Sequence, residues 1–166
     1  MRSRSSACRS PVIDTGPAES ARTHRRGSPL TCVLDASAAL SLVLEDEFTP
    51  EAHAILEYVS EHGAVVPPLW FAEVANGLLT AWRRGRLDDS GLMHATVGLE
   101  RLPIRAHEER PSLLDLVKLA SQAALTAYDA TYLWLADRQG APLATRDERL
   151  ADAARRAGIT LLTDSQ

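Results

Sequence analysis

Short apolar runs alternate with longer segments of helical periodicity from about residue 30 to the end of the chain. The runs predict buried strands at 31–34, 64–66, 102–104, 142–144 and 159–162. The longer segments predict helices at 37–45, 50–62, 69–85, 88–99, 111–124, 126–139 and 147–157. This alternation indicates βαβ units, and we therefore expect an α/β fold with three layers, in which helices cover both faces of a central parallel sheet.

Single residues mark where several of these helices begin and end. Pro50 suits the first position of a helix, whereas Gly63 and Gly140 suit the position just after one ends. Ser37 is expected to cap the first helix. These signals belong to one continuous domain, which we place at residues 30–166.

The first 29 residues differ from the rest of the chain in composition and charge. They hold six arginines against two acidic residues, and Ser, Pro and Gly fill most of the other positions. We expect residues 1–29 to form a disordered basic arm. Such an arm could contact RNA, but a dispensable extension or a mis-assigned start codon is the simpler interpretation.

The composition of the whole chain excludes several classes of protein. Apolar residues make up 45% of the 166 positions, and the net charge of −4 argues against binding nucleic acid through bulk positive charge. Two cysteines, Cys8 and Cys32, are too few for a disulfide scaffold, so we expect a cytoplasmic protein. No apolar stretch approaches the roughly 18 residues of a membrane span, and we expect no signal peptide.

Four acidic residues lie where the predicted strands end or where the following helices begin. They are Asp35 after the first strand, Glu73 in the helix after the second, Asp129 at a helix start and Asp147 after the fourth strand. Ligands bind at the carboxyl ends of parallel strands, so we expect these carboxylates to converge at one edge of the sheet. Four like charges repel unless a divalent cation neutralises them, and oxygen ligands select Mg²⁺ or Mn²⁺. The pattern predicts metal-assisted phosphoryl chemistry.

Each acidic residue also has a purely structural interpretation. Asp35 could cap a helix, and Asp129 and Asp147 could be first-turn acids favoured by the helix dipole. Glu73 could lie on the exposed face of an amphipathic helix. The five histidines show no zinc-ligand spacing, and we interpret them as surface or packing residues. The coincidence of four carboxylates at one edge is what favours the metal site.

Four short stretches, in this order along the chain, resemble the PIN-domain ribonucleases and, among them, the VapC toxins of bacterial toxin–antitoxin pairs. The stretches are VLDASA at 33–38, PPLWFAEVANGL at 67–78, LTAYDA at 125–130 and LATRDERL at 143–150. The resemblance covers about residues 31–164. It implies hydrolytic cleavage of RNA with Mg²⁺ or Mn²⁺, a homodimer, and a cognate antitoxin bound across the active groove.

The resemblance also assigns roles to individual residues. It implies that the metal-binding and catalytic quartet consists of Asp35, Glu73, Asp129 and Asp147. The hydroxyls of Ser37 and Thr145 would be supporting polar groups.

The RNA backbone must be held by cations, and arginines cluster near the predicted site. The candidates for RNA binding are Arg83, Arg84 and Arg86 at the end of the long helix, and Arg146 and Arg149 beside the last acidic residue. Arg155 and Arg156 form a further pair. Arginines near a helix C-terminus also complement the helix dipole and aid solubility, which is the alternative for each of them.

Three other functions fit parts of this pattern. A haloacid-dehalogenase-like phosphatase also has an Asp at the end of its first strand, but it requires a second Asp where Ser37 stands. A signalling receiver domain requires a lysine at a late strand end, and the only lysine here, Lys118, lies in the middle of a predicted helix. A PIN-like scaffold that binds RNA or protein without cutting is the alternative to a nuclease, although the four acidic positions argue against it.

Overall fold

The computed structural model describes residues 31–162, and the secondary structure of this part of the chain follows the predicted order. The strands are β1 (Cys32–Leu34), β2 (Ala64–Val66), β3 (Ile104–Ala106) and β4 (Leu143–Ala144). The helices are α1 (Ala36–Ser41), α2 (Pro50–His62), α3 (Trp70–Arg83), α4 (Asp89–Glu100), α5 (Leu113–Ala123), α6 (Ala127–Gln139) and α7 (Glu148–Arg156). A 3₁₀ turn covers Glu45–Glu47, between α1 and α2. The arm predicted at 1–29 lies outside the described residues and stays a prediction.

The four strands form one parallel sheet in the order β3-β2-β1-β4. Val33 in the middle of β1 pairs with Val65 of β2 on one side and with Leu143 of β4 on the other. The chain moves outward from β1 to β3 and then returns to place β4 on the opposite side of β1. This reversal makes the gap beyond β1 and β4 a topological switch point, where ligands bind in open α/β sheets. The predicted α/β fold with a parallel sheet flanked by helices is confirmed.

The core lies on both faces of the sheet. Every residue of β1, β2 and β4 is buried, which is typical of parallel strands covered by helices on both sides. Helix α6 packs on β1 and β4 and contributes two fully buried large side chains, Tyr132 and Leu135. This packing brings the helix that carries Asp129 to the strand that Asp35 follows. No helix within residues 31–162 has the length and apolar content needed to cross a bilayer.

Several helix ends fall where the sequence predicts them. Helix α2 begins at Pro50, and the Thr49 side chain accepts a hydrogen bond from the Ala52 N–H. Helices α2 and α6 are followed by Gly63 and Gly140, which adopt positive φ values of 77° and 59°. Glycine takes these angles without the steric penalty that a β-carbon brings.

Other expectations are wrong in detail. Helix α1 begins at Ala36, directly after Asp35, so Ser37 lies inside the first turn and does not cap the helix. The helix ends at Ser41, well before the predicted residue 45. The strand predicted at 159–162 is reduced to a single parallel bridge between Leu143 and Leu161.

Candidate active site

The site is built around Asp35 at the carboxyl end of β1. Its backbone N–H donates to the Ala144 carbonyl at 2.9 Å, which extends the pairing of β1 and β4 by one step beyond the strands. This bond places Asp35 beside Thr145, the first residue after β4. The Asp35 side chain is buried, with 6% of its surface exposed.

Two hydroxyl groups donate to the same oxygen of Asp35. Ser37 Oγ lies 2.5 Å from Asp35 Oδ2, and Thr145 Oγ1 lies 2.8 Å from it. Each hydroxyl is oriented in turn by a backbone amide, because Arg146 N–H donates to Ser37 Oγ and Asp147 N–H donates to Thr145 Oγ1, both at 3.0 Å. This network joins the end of β1 to the loop after β4 and fixes the direction of the Asp35 carboxylate.

Burial raises the pKa of the Asp35 carboxyl group above its ordinary value. The hydrogen bonds from the Ser37 and Thr145 hydroxyls, and the nearby backbone amides of Ala36 and Ser37, lower the pKa and offset part of this effect. The buried carboxylate therefore carries a charge that these hydrogen bonds only partly stabilise. A cation at this point would stabilise it further.

Glu73 reaches the site from the first turn of α3. Its Oε2 accepts a hydrogen bond from the hydroxyl of Tyr132, a fully buried residue of α6. Burial raises the pKa of Glu73, the Tyr132 hydrogen bond lowers it, and the charges of Asp35 and Asp129 raise it further. The carboxylates of Asp35 and Asp129 are therefore both within electrostatic range of Glu73.

Asp129 and Asp147 lie at the starts of helices, as the sequence suggests. Asp129 Oδ2 accepts a hydrogen bond from Thr126 Oγ1 at 2.7 Å in the first turn of α6. Asp147 caps α7, and its Oδ1 accepts from the Leu150 N–H at 2.9 Å. Asp35 also occupies a capping position, before α1, but its side chain makes no capping hydrogen bond. Of the structural alternatives, the first-turn position expected for Asp129 is found, Asp147 caps its helix instead of lying in the first turn, and Asp35 has the capping position without the capping bond.

The arrangement brings the predicted residues together to different degrees. Glu73 interacts electrostatically with Asp35 and with Asp129, and the backbone N–H of Asp147 donates to the Thr145 hydroxyl that binds Asp35. Across residues 31–162, no group of three or more His, Cys, Asp or Glu side chains is arranged to hold a metal ion. The metal-ligand role of the quartet therefore stays a prediction.

Sequence reasoning missed the part that Tyr132 plays in this site. Its hydroxyl binds Glu73 just as Thr126 binds Asp129 and as Ser37 and Thr145 bind Asp35. A signal was present, because Tyr132 follows Asp129 by three positions, and residues three apart share one face of a helix.

The candidate RNA-binding arginines fall into two groups. Arg83, Arg84 and Arg149 are exposed and form no ion pair within the described part of the chain. Arg86, by contrast, binds Asp46 at 2.7 Å and Glu47 at 2.6 Å.

Arg146 is also engaged, because its guanidinium donates to the Glu47 carbonyl at 2.6 Å. Arg86 and Arg146 thus both hold the 3₁₀ turn at Glu45–Glu47. In the further pair of arginines near the end of α7, Arg155 binds Asp152 at 3.1 Å, and Arg156 donates to the Ala123 carbonyl at 3.4 Å. Arg83, Arg84 and Arg149, which make none of these contacts, are therefore the stronger candidates for contact with a phosphate backbone.

Comparison with known proteins identifies the family. Residues 32–156 match the PIN domain family, and the chain belongs to it. The chain is 33% identical over 125 residues to Ribonuclease VapC3 of Pyrobaculum aerophilum, an alignment that covers 72% of this chain and 92% of the relative. It is 32% identical over 120 residues to Ribonuclease VapC9 of Mycobacterium tuberculosis, covering 72% of this chain and 88% of the relative.

A solved structure supports the same assignment. The crystal structure of PAE2754 from Pyrobaculum aerophilum superposes with a TM-score of 0.56 at 25% sequence identity. The match covers 75% of this chain and 84% of that chain. The resemblance to the PIN-domain and VapC proteins is therefore confirmed in both sequence and fold.

Proposed function

We propose that the protein is a metal-dependent endoribonuclease that acts as the toxin of a VapBC-type toxin–antitoxin pair. The observation that carries this proposal is the buried Asp35 carboxylate at the switch point, together with Glu73, which lies within electrostatic range of both Asp35 and Asp129. The similarity to curated VapC ribonucleases supports RNA as the substrate.

The chemistry of these side chains fits Mg²⁺ or Mn²⁺. One oxygen of each of the Asp35, Glu73 and Asp129 carboxylates takes the hydroxyl hydrogen bonds, which leaves the other oxygen without a side-chain donor in the described chain. Hard oxygen donors of this kind select Mg²⁺ or Mn²⁺. We propose that these three residues and Asp147 hold the ion. When bound, such an ion polarises a phosphate and lowers the pKa of a water molecule.

The residues of the chain supply the other requirements for hydrolysis of a phosphodiester bond. A water molecule must attack phosphorus in line and lose a proton while the bond between phosphorus and the leaving ribose oxygen breaks. We propose that Glu73 or Asp129 accepts the proton of the water. The raised pKa of Glu73 makes its carboxylate a stronger base for this proton. Arg83, Arg84 and Arg149 have exposed guanidinium groups with which to hold the RNA backbone.

We further propose that the protein forms a homodimer and is inhibited by a cognate antitoxin. Helix α5 supports a protein contact, because Leu113, Leu114 and Val117 expose 75%, 63% and 55% of their surface. Contiguous exposed apolar side chains mark interaction sites in soluble proteins. Sedimentation equilibrium of the purified protein, alone and with its antitoxin, would measure both assemblies.

An RNA cleavage assay tests the proposed activity. The purified full chain is incubated with total cellular RNA in EDTA, in Mg²⁺ and in Mn²⁺, and the products are separated by size. We expect discrete fragments in both metals and none in EDTA. If no fragments form in any condition, the proposal is wrong and the alternative of a non-cleaving PIN-like scaffold is supported.

A further inference from the structure

Tyr132 is the most buried polar group at the candidate site whose role the proposed reaction leaves open. It lies on α6, one turn after Asp129, and none of its side chain is exposed. Its hydroxyl donates to Glu73 Oε2 and thereby links α6 to α3 across 59 positions of sequence. Within residues 31–162, this is the only side-chain hydrogen bond that Glu73 receives.

The chemistry of the two groups determines the direction of this hydrogen bond. An ionised carboxylate has no proton to donate, so the Tyr132 hydroxyl donates and Glu73 Oε2 accepts. The phenol therefore directs its single proton to Glu73.

A hydrogen bond to one carboxylate oxygen restricts how the group can bind a cation. Because Oε2 is held by Tyr132, Oε1 is the oxygen of Glu73 that remains available to bind a cation. Its orientation is set by Tyr132, which is fully buried in the core. Outer hydrogen bonds of this kind orient the ligands of metal sites in proteins generally. A glutamate without such a bond would have to lose side-chain freedom each time it bound an ion.

On this geometry we propose that Tyr132 is a positioning residue that orients Glu73 for binding the divalent cation. The inference rests on the proposed function, since it assumes that Glu73 contributes to a metal site. It goes beyond that function by assigning a role to a residue that contacts neither RNA nor the ion. A purely structural role, in which the phenol only satisfies its own hydroxyl inside the core, is the alternative.

The test compares Mn²⁺ binding in Tyr132→Phe with that in the unmodified full chain by titration calorimetry. The substitution removes only the hydroxyl and keeps the ring that fills the core. We expect the variant to bind Mn²⁺ about 10- to 100-fold more weakly, the usual effect of losing an outer hydrogen bond to a ligand. Thr131→Val is the matched control, because Thr131 has a buried hydroxyl on the same helix that donates only to the Ala127 carbonyl. This control should bind Mn²⁺ like the unmodified protein.

A double variant shows whether Tyr132 acts through Glu73. In a Glu73→Gln background, Tyr132→Phe should weaken Mn²⁺ binding no further, whereas fully additive losses would overturn the inference. Equal Mn²⁺ affinity in Tyr132→Phe and the unmodified protein, with a lower melting temperature in EDTA, would also overturn it and establish a structural role only. If the unmodified protein itself binds no Mn²⁺, the proposed function fails, and the inference fails with it.

Discussion

At the scale of single residues, three of the four candidate carboxylates are buried or half-buried and held by a hydroxyl, namely those of Asp35, Glu73 and Asp129. Asp35 is the extreme case, because it is nearly inaccessible and has a raised pKa even with two hydroxyl donors. A group whose pKa is raised by folding binds protons more tightly in the folded state than in the unfolded state. Its ionisation therefore lowers the stability of the folded protein.

This raised pKa predicts a pH dependence of stability in the absence of metal. The contribution of Asp35 is fully favourable below its ordinary pKa of 3.8 and is lost as the pH rises through the raised value in the folded protein. Asp35→Asn cannot ionise. In EDTA, we therefore expect its melting temperature, relative to that of the unmodified protein, to increase with pH until the raised pKa is passed.

Thermal melts between about pH 4 and pH 8 measure this difference. Asp137→Asn, at an exposed position of the same helix as Asp129, is measured alongside as the control for the loss of one acidic side chain. A relative melting temperature of Asp35→Asn that falls as the pH rises would mean that folding lowers the pKa of Asp35. That result would contradict the account of this residue.

At the scale of elements, α1 packs against α3, the helix that carries Glu73. This packing determines how close Asp35, which directly precedes α1, lies to α3. These two helices pack together, and Gly77 of α3 faces Leu40 of α1. A β-carbon at position 77 would overlap Leu40 Cδ1 and lie 2.9 Å from Leu40 Cδ2. The absence of a side chain at Gly77 therefore permits this close packing.

Replacement of glycine by alanine in two helices tests this packing. Gly98 of α4 is the matched control, because a β-carbon there meets only Val43 Cγ1, at an ordinary 3.7 Å. Gly98→Ala should raise the free energy of unfolding by about 0.5–1 kcal/mol through helix propensity. Gly77→Ala should lower it by about 1 kcal/mol, because overpacking outweighs the same gain. Urea denaturation measures both values, and equal stabilisation by the two variants would show that Leu40 moves aside without cost.

The elements that could be predicted from sequence are those whose ends carry their own signals. Pro50 and Gly63 set both ends of α2 because one suits the first turn and the other adopts a positive φ. The prediction that Ser37 caps α1 was wrong because Asp35 and Ser37 are both capping residue types, and local sequence does not determine which one the helix follows. The strand expected at 159–162 depends on long-range pairing with β4, for which apolar content alone is a weak guide.

At the candidate site, the acidic residues could be selected from the sequence, whereas the contacts between side chains could not be predicted. Asp35, Glu73, Asp129 and Asp147 could be selected because each follows a strand or begins a helix. The bond between Tyr132 and Glu73 could not be predicted, because it joins residues 59 positions apart and depends on how α3 and α6 pack. The bonds from Arg86 and Arg146 to the 3₁₀ turn could not be predicted either, because they also join residues that are distant in sequence.

At the scale of the whole molecule, the site exists only in the folded chain. Asp35 and Thr145 are 110 positions apart, and their hydrogen bond forms only when β4 pairs with β1. All of these residues lie within 31–162, and the match to the PIN domain begins at residue 32. The segment that precedes β1 is thus outside both the family match and the candidate site.

Removal of this segment should therefore leave the domain and its proposed activity intact. We propose that residues 1–29 form an arm separate from the domain, because they contain few apolar residues with which to pack against it. Deletion of residues 2–29 should change neither the melting temperature nor the rate of RNA cleavage. Aggregation of the shortened protein, or loss of cleavage at an unchanged melting temperature, would show that the arm is structural or binds substrate.

The most direct test of the account is the rate of RNA cleavage by Asp35→Asn at saturating Mn²⁺, compared with Asp137→Asn and the unmodified chain. Asparagine keeps the shape of the side chain but removes the charge proposed to hold the ion. We expect Asp35→Asn to lose at least about 100-fold in rate, since a ligand matters more than the outer groups that orient it. Asp137→Asn should cleave at the unmodified rate. Cleavage by Asp35→Asn at the rate of the unmodified chain would contradict the assignment of the active site.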